Sequence, residues 1–199
     1  MTRTLLRTVL IALSLVVSTT VRAGDVEDGD AAFLRKDYAT ALKKYKSAAA
    51  KGDVKGQDRV GDVYNEGLGV VQDYAEAVRW WTLAAAQGYA SAQHNIGVMY
   101  SSGQGVVQDY VEAVRWYKLA AAQGVSFAQY NLGVMYRQGQ GVVQDYVRAH
   151  MWTNLAAVKG DADAVKNRDI LAAKMSTQQI AEAQKMAREC QARNFKGCD

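Results

Sequence analysis

Asp37-Tyr38, Asp73-Tyr74, Asp109-Tyr110 and Asp145-Tyr146 recur every 36 residues along a chain of 199. Residues 109–144 repeat residues 73–108 at 26 of 36 positions, and residues 37–72 match residues 73–108 at 16 of 36. Such a period means one supersecondary unit stacked on copies of itself, each copy burying its apolar face only against its neighbours. No segment alternates apolar and polar residues with period 2 over a useful length, so the units are not built of strands.

Each unit reads as two helices. Asp73 and Asp109 can each accept the backbone N–H of the residue three on, and Glu76 and Glu112 at that position can reach back, as in a capping box. In the first helix Ala77, Trp80, Trp81, Ala84 and Ala85 fall at i, i+3, i+4, i+7 and i+8, one apolar stripe. Gly88 ends it by permitting a left-handed residue. The second helix carries Ala92, Ile96, Gly97 and Tyr100 on one face, and Gly103 and Gly105 stop it. There is no proline, so glycine makes every reversal. Ala84, Ala85 and Gly97 remove bulk where helices approach, and Trp80, Trp81 and Tyr100 fill the space beside them. Trp80, Trp116 and Trp152 are expected to anchor helices, and Gly97 and Gly133 to be required for close approach.

The runs DYAEAVRWWTLAAAQG and AQHNIGVMYSSGQGVVQD resemble the Sel-one-like repeat (SLR), a relative of the tetratricopeptide repeat. The resemblance covers roughly residues 30 to 190. It implies an all-α protein: a right-handed α/α superhelix, a solenoid of about four 36-residue helix-pair repeats used for protein–protein contact, closed by a C-terminal capping helix. The expected divisions are an N-terminal cap at 24–36, repeats at 37–72, 73–108 and 109–144, a degenerate repeat at 145–175, and a capping helix and tail at 176–199. The end units depart from the pattern. Lys44-Tyr45 replaces the Trp pair, Gly56 replaces Ala92, and Arg168-Asp169 stands where Ile96-Gly97 stands. A stack ends in polar outer faces. Ser176 reads as an N-cap, with Ile180, Ala183, Ala187 and Cys190 along one side of the helix it opens.

Residues 1–23, MTRTLLRTVLIALSLVVSTTVRA, have the order of a cleavable export signal: Arg3 and Arg7, an apolar run from Val9 to Val17, and Val21-Arg22-Ala23 before the cut. The run is shorter than the ~20 residues that span a bilayer. The expectation is a periplasmic or secreted protein, with no stable membrane insertion once the signal is gone. Cys190 and Cys198 are the two cysteines. In an oxidising compartment they can close a small loop, and their spacing permits two free thiols equally.

Hydrophobic residues at 49% make the chain too apolar to be disordered. Formal net charge is +4, falling to +1 without Arg3, Arg7 and Arg22, too little for nucleic-acid binding by bulk charge. His94 and His150 have no Cys, Asp or Glu at metal-ligand spacing, so they read as structural. No phosphate-binding loop and no nucleophile elbow occurs, and Glu76 and Glu112 are accounted for as helix-terminal carboxylates. The reading is a non-enzymatic interaction module without cofactor. The alternatives are a cell-wall or host-factor binding protein, or a β-lactamase-like envelope enzyme; no Ser-x-x-Lys and no cysteine pair within the repeats favours the last.

On each first helix the stripe opposite the apolar one falls at 75, 79, 82 and 86. Across the units it carries Lys43 and Lys46, Arg79 and Thr82, Arg115 and Lys118, then Met151 and Asn154. No acidic residue lies on this row. In tetratricopeptide-like solenoids this side lines the concave groove, so the resemblance implies a groove with a basic floor. Such a floor fits an acidic or carboxylate-bearing peptide, held by Lys43, Lys46, Arg79, Arg115, Lys118 and Asn154.

Overall fold

In a computed structural model, which describes residues 24–158 and 162–198, the chain is all helix. The export signal expected at 1–23 lies outside the described residues. First helices are α2 (Tyr38–Ala50), α4 (Tyr74–Ala86), α6 (Tyr110–Ala121) and α8 (Tyr146–Ala157). Second helices are α3 (Val54–Glu66), α5 (Ala90–Ser102), α7 (Ser126–Gln138) and α9 (Ala162–Ala172). α1 (Asp25–Leu34) precedes them and α10 (Thr177–Ala192) follows.

The tandem Asp residues cap as their spacing implies. Asp37, Asp73, Asp109 and Asp145 accept the N–H of Thr40, Glu76, Glu112 and Arg148 at 3.2, 2.9, 3.0 and 2.9 Å. The reciprocal half of the capping box does not form there. Glu76 instead accepts from Arg79 (2.9 Å) and from the Trp80 indole N–H (2.8 Å), and Glu112 from Arg115. The cap's own N–H is already taken by the preceding second helix: Asp73 donates to the Tyr64 carbonyl at 3.0 Å and Asp109 to the Tyr100 carbonyl at 2.9 Å. Among the described residues only α10 closes the box in both directions, through Ser176 and Gln179.

Between units the connection is equally regular. Gln108 donates to the Ser101 carbonyl at 2.9 Å, and Gln72 and Gln144 do the same in their loops. Gly105 has φ +71°, and a Cβ on it would lie 2.5 Å from the Tyr74 carbonyl carbon, so the loop folds directly onto the start of its own unit's first helix.

Glycine joints recur between units, and in the first unit Gly56 on α3 also meets α2 at Ala48 and Ala49. Gly61 on α3 faces Trp81 on α4, Gly97 on α5 faces Tyr117 on α6, and Gly133 on α7 faces Thr153 on α8. At the N-terminus Gly29 on α1 faces Tyr45 on α2 in the same way. α1 therefore serves as a second helix without a first, and its burial of Val26 and Ala32 caps the stack. Trp81, Tyr45 and Tyr117 are fully buried, with Trp152, whereas Trp80 and Trp116 are half-buried. This corrects the sequence-based assignment at Trp80 and Trp116, while Trp152 is buried as expected. Adjacent residues on a helix point about 100° apart, and the glycine opposite selects the second aromatic of each pair.

α10 packs against α8. Ala183, Ala187 and Cys190 are buried in one cluster with Met151, Trp152 and Leu155. Cys190 and Cys198 are joined by a disulfide that closes the tail.

Candidate functional site

The exposed face of the first helices repeats from unit to unit, and its residues follow from helical period. Ala75, Arg79, Thr82 and Ala86 are all exposed on α4. On α6 the corresponding Arg115 is exposed and Lys118 is half-buried. On α2 Lys43 is exposed, while Lys46 donates to the Tyr64 hydroxyl at 2.8 Å and lies 5.0 Å from that ring's centre. Asn154 is half-buried, and Met151 is buried. The structure thus brings Arg79 and Arg115 to equivalent places on neighbouring helices. It separates Met151 and Asn154 from that open surface by the presence of α10 on α8.

The row is not uniformly basic. Arg79 is paired with Glu76 at 2.9 Å and Arg115 with Glu112 at 2.8 Å, each from one turn earlier. Each guanidinium also lies over the neighbouring indole, Arg79 on Trp80 at 5.8 Å and Arg115 on Trp116 at 4.5 Å. The Glu112 contact raises the Arg115 pKa. The sequence-based reading of a floor without carboxylates overlooked residues three positions back, which a helix brings alongside. What α4 and α6 present is a repeated Glu–Arg–Trp set. Exposed ion pairs of this kind add little stability, but they hold the arginines over the indoles.

Beside the Arg–Trp sets, Leu83 and Leu119 are exposed at 47% and 42%. An exposed Leu at the same place in two successive units was not singled out from sequence, because Leu is an ordinary helix former.

Buried polar ladders run between units. Gln57, Gln93 and Gln129 are buried; Gln87 donates to Gln57 and Gln123 to Gln93, each at 2.8 Å. His94 lies 3.3 Å from the Asn131 amide and near the rings of Tyr117 and Phe127, and burial lowers its pKa. Asn167 donates to Tyr130 at 2.5 Å. His94 is thus an inter-repeat residue, at the place that Tyr130 takes in the next unit. His150 is buried on α8, and burial lowers its pKa as well.

The first unit departs from the others in carrying charge on its second helix. Asp58, Arg59 and Asp62 stand where His94, Asn95 and Val98 stand. Asp58 is 6% exposed, and burial, with Asp62 nearby, pushes its carboxyl up to about 7. Burial likewise raises Asp62 to about 6 against the pull of Arg59. Asp30, Tyr45, Arg59, Asp62 and Glu66 line a cleft of about 420 Å³, where Tyr45 donates to Asp30 at 2.8 Å. Arg59 ties the same Asp30 at 3.3 Å to the second helix. These contacts fasten α1 onto the stack. Among the described residues no group of three or more His, Cys, Asp or Glu is placed to hold a metal ion, and no helix is long and apolar enough to cross a membrane.

A helix-pair solenoid with glycine-on-aromatic joints and one open side-chain row is a repeat protein of the protein-interaction class. The Sel1 repeat model matches residues 22–53, 54–89, 90–125 and 126–161, and the chain belongs to that family. Each matched unit runs from a second helix into the next first helix, half a unit out of phase with the division at 37, 73 and 109. It encloses one glycine joint, against an aromatic ring in the first three and against Thr153 in the fourth, and its two helices share the more extensive packing. Sel1 repeats generally mediate protein–protein interaction. Among solved structures the chain is similar to a Sel1 repeat protein from Oxalobacter formigenes, at 30% identity and TM-score 0.66, covering 83% of this chain and 75% of that one. It is also similar to a protective antigen present in uropathogenic Escherichia coli strains, described as displaying an SLR fold, at 27% identity and TM-score 0.60. That match covers 79% of this chain and 43% of the antigen, so the chain spans less than half of that protein. No curated protein matches the chain.

Proposed function

We propose that the protein is an exported, non-enzymatic scaffold that binds a protein partner along the first-helix row, on the concave side of the solenoid. The observation that carries the reading is the repeated Glu–Arg–Trp set with its exposed Leu on α4 and again on α6. It is a rigid surface of mixed chemistry held in register by the buried joints beneath. Arg79 and Arg115 each keep N–H groups beyond those given to Glu76 and Glu112, and these can grip a carboxylate of the partner. Lys43, Lys46, Lys118 and Asn154 extend the same row, though Lys46 is already engaged with Tyr64. The residues before Gly24 have the order of an export signal, and the antigenic character of the Escherichia coli relative is in keeping with an address outside the cytoplasm.

The test is partner cross-linking in the native cell with wild type and with Arg79→Glu plus Arg115→Glu. Both side chains are exposed, so the double variant is expected to fold. It is expected to lose the cross-linked adduct, and added salt is expected to weaken the wild-type complex. Undiminished capture by the double variant at low salt removes the reading.

A further inference from the structure

Leu83, Leu119 and Leu155 occupy one position in three successive first helices, and their exposures are 47%, 42% and 3%. The difference is α10. On α8 it buries Leu155 together with Met151 and Trp152; on α4 and α6 the same places hold Arg79, Trp80 and Leu83, then Arg115, Trp116 and Leu119, with no helix over them. The tail beyond α10 reaches back to the preceding unit, where Phe195, Gly197 and Cys198 line one side of a cleft whose other side is Lys118 and Leu119. Phe195 rests against Gly124 at the end of α6, 3.2 Å from where a Cβ would stand, while the equivalent Gly88 and Gly52 have open space. The chain therefore carries its own example of what this row accepts. The seated face of α10 is Ala183, Ala187 and Cys190, small apolar residues at i, i+4 and i+7, with Met186 beside them.

We propose that the open part of the row, on α4 and α6, binds an amphipathic α-helix of a partner protein, seated through a stripe of small apolar residues as α10 is seated on α8. The inference rests on the row being the binding surface and adds the class of ligand. Three features support a helix over an extended peptide. The row's exposed apolar groups, Leu83 and Leu119, repeat a residue that α10 covers. The half-buried Trp80 and Trp116 leave indole surface beside them, as Trp152 does where α10 packs. Small residues on the incoming helix let its backbone come close to that surface. A second copy of this chain is a poor donor, because its α10 is already seated and tied by the Cys190–Cys198 disulfide.

The probe is a fluorescent peptide with the sequence of residues 176–192 carrying Cys190→Ala, titrated with the full chain and read by anisotropy. Saturable binding is expected, reduced about tenfold or more by Leu83→Asp with Leu119→Asp. It is expected to be unchanged by Val71→Asp with Val107→Asp, which alters the exposed loop valines instead. Leu83→Ser with Leu119→Ser, a milder pair, gives the same ordering, and thermal melts establish that each variant is folded. The same peptide with Ala183→Pro, which cannot hold a continuous helix, is expected to lose binding. Absence of saturable binding up to ~1 mM overturns the inference. So does binding that survives both Leu83/Leu119 pairs, since the peptide would then be exchanging with α10 on α8. Equal binding of the proline peptide overturns the helix while leaving the row as a binding surface. Failure of the row itself is read separately, in the Arg79/Arg115 cross-linking.

Discussion

Gly97 on α5 lies flat against the ring of Tyr117 on α6: a Cβ at Gly97 would fall 2.6 Å from Cδ1 of that ring and 3.3 Å from the Ala113 carbonyl oxygen. Carbon atoms do not approach so closely, so any side chain at this position forces the two helices apart. A glycine meets the next first helix at the other described joints too, Gly61 against the Trp81 ring and Gly133 against the Thr153 methyl.

Gly97→Leu is therefore expected to lower stability by ~1–3 kcal/mol or more through overpacking. Urea denaturation measures it, and Gly133→Leu, against Thr153, provides the second instance. An unchanged unfolding midpoint in both would mean that the helices do not meet there.

Truncation should separate the neighbouring tryptophans. Trp81→Ala removes a fully buried side chain and is expected to cost ~3–5 kcal/mol. Trp80→Ala and Trp116→Ala remove half-buried rings and are expected to cost clearly less, while altering the first-helix row. Equal losses at Trp80 and Trp81 would contradict the burial pattern.

Asp58 makes stability depend on pH with a definite sign. Its folded-state pKa of about 7 lies above the ordinary carboxyl value of 3.8, so between these values the folded state holds a proton that the unfolded chain has released. The contribution is complete below about pH 4 and is lost as pH rises through 7. Asp62, raised to about 6, acts in the same direction, whereas His94 and His150, both lowered by burial, act oppositely. Asp58→Asn removes one contribution. Relative to wild type, the variant is expected to gain on the order of 1–3 kcal/mol between pH 5 and pH 8. Denaturation curves at both values test this, and parallel behaviour of the two proteins would show that Asp58 ionises normally.

Removing the disulfide should act locally. Cys190→Ser with Cys198→Ser frees an eight-residue separation, which costs about 2–3 kcal/mol by chain entropy. Amide exchange is expected to accelerate in α10 and around Phe195, leaving α3 to α6 protected as before. Uniform acceleration through all units would mean that α10 supports the whole stack.

Everything written in the 36-residue period was legible without coordinates: the helix pairs, the Asp caps, the glycine reversals and the row carrying Arg79 and Arg115. These depend on neighbours within a few positions, and local hydrogen bonds and helical period suffice to place them. Three features were decided only by tertiary structure. Trp80 and Trp81 are indistinguishable as residue types, and Gly61, on another helix, determines which one is buried. Glu76 fits both the capping pattern and an ion pair, and the Tyr64 carbonyl of the preceding helix, which takes the Asp73 N–H, leaves it to Arg79 and Trp80. The amphipathic face of α10 is plain in its sequence, but an apolar stripe is non-directional and specifies no partner. It is the buried Met151 and Leu155 of α8, against the exposed Arg79 and Leu83 of α4, that show where it comes to rest.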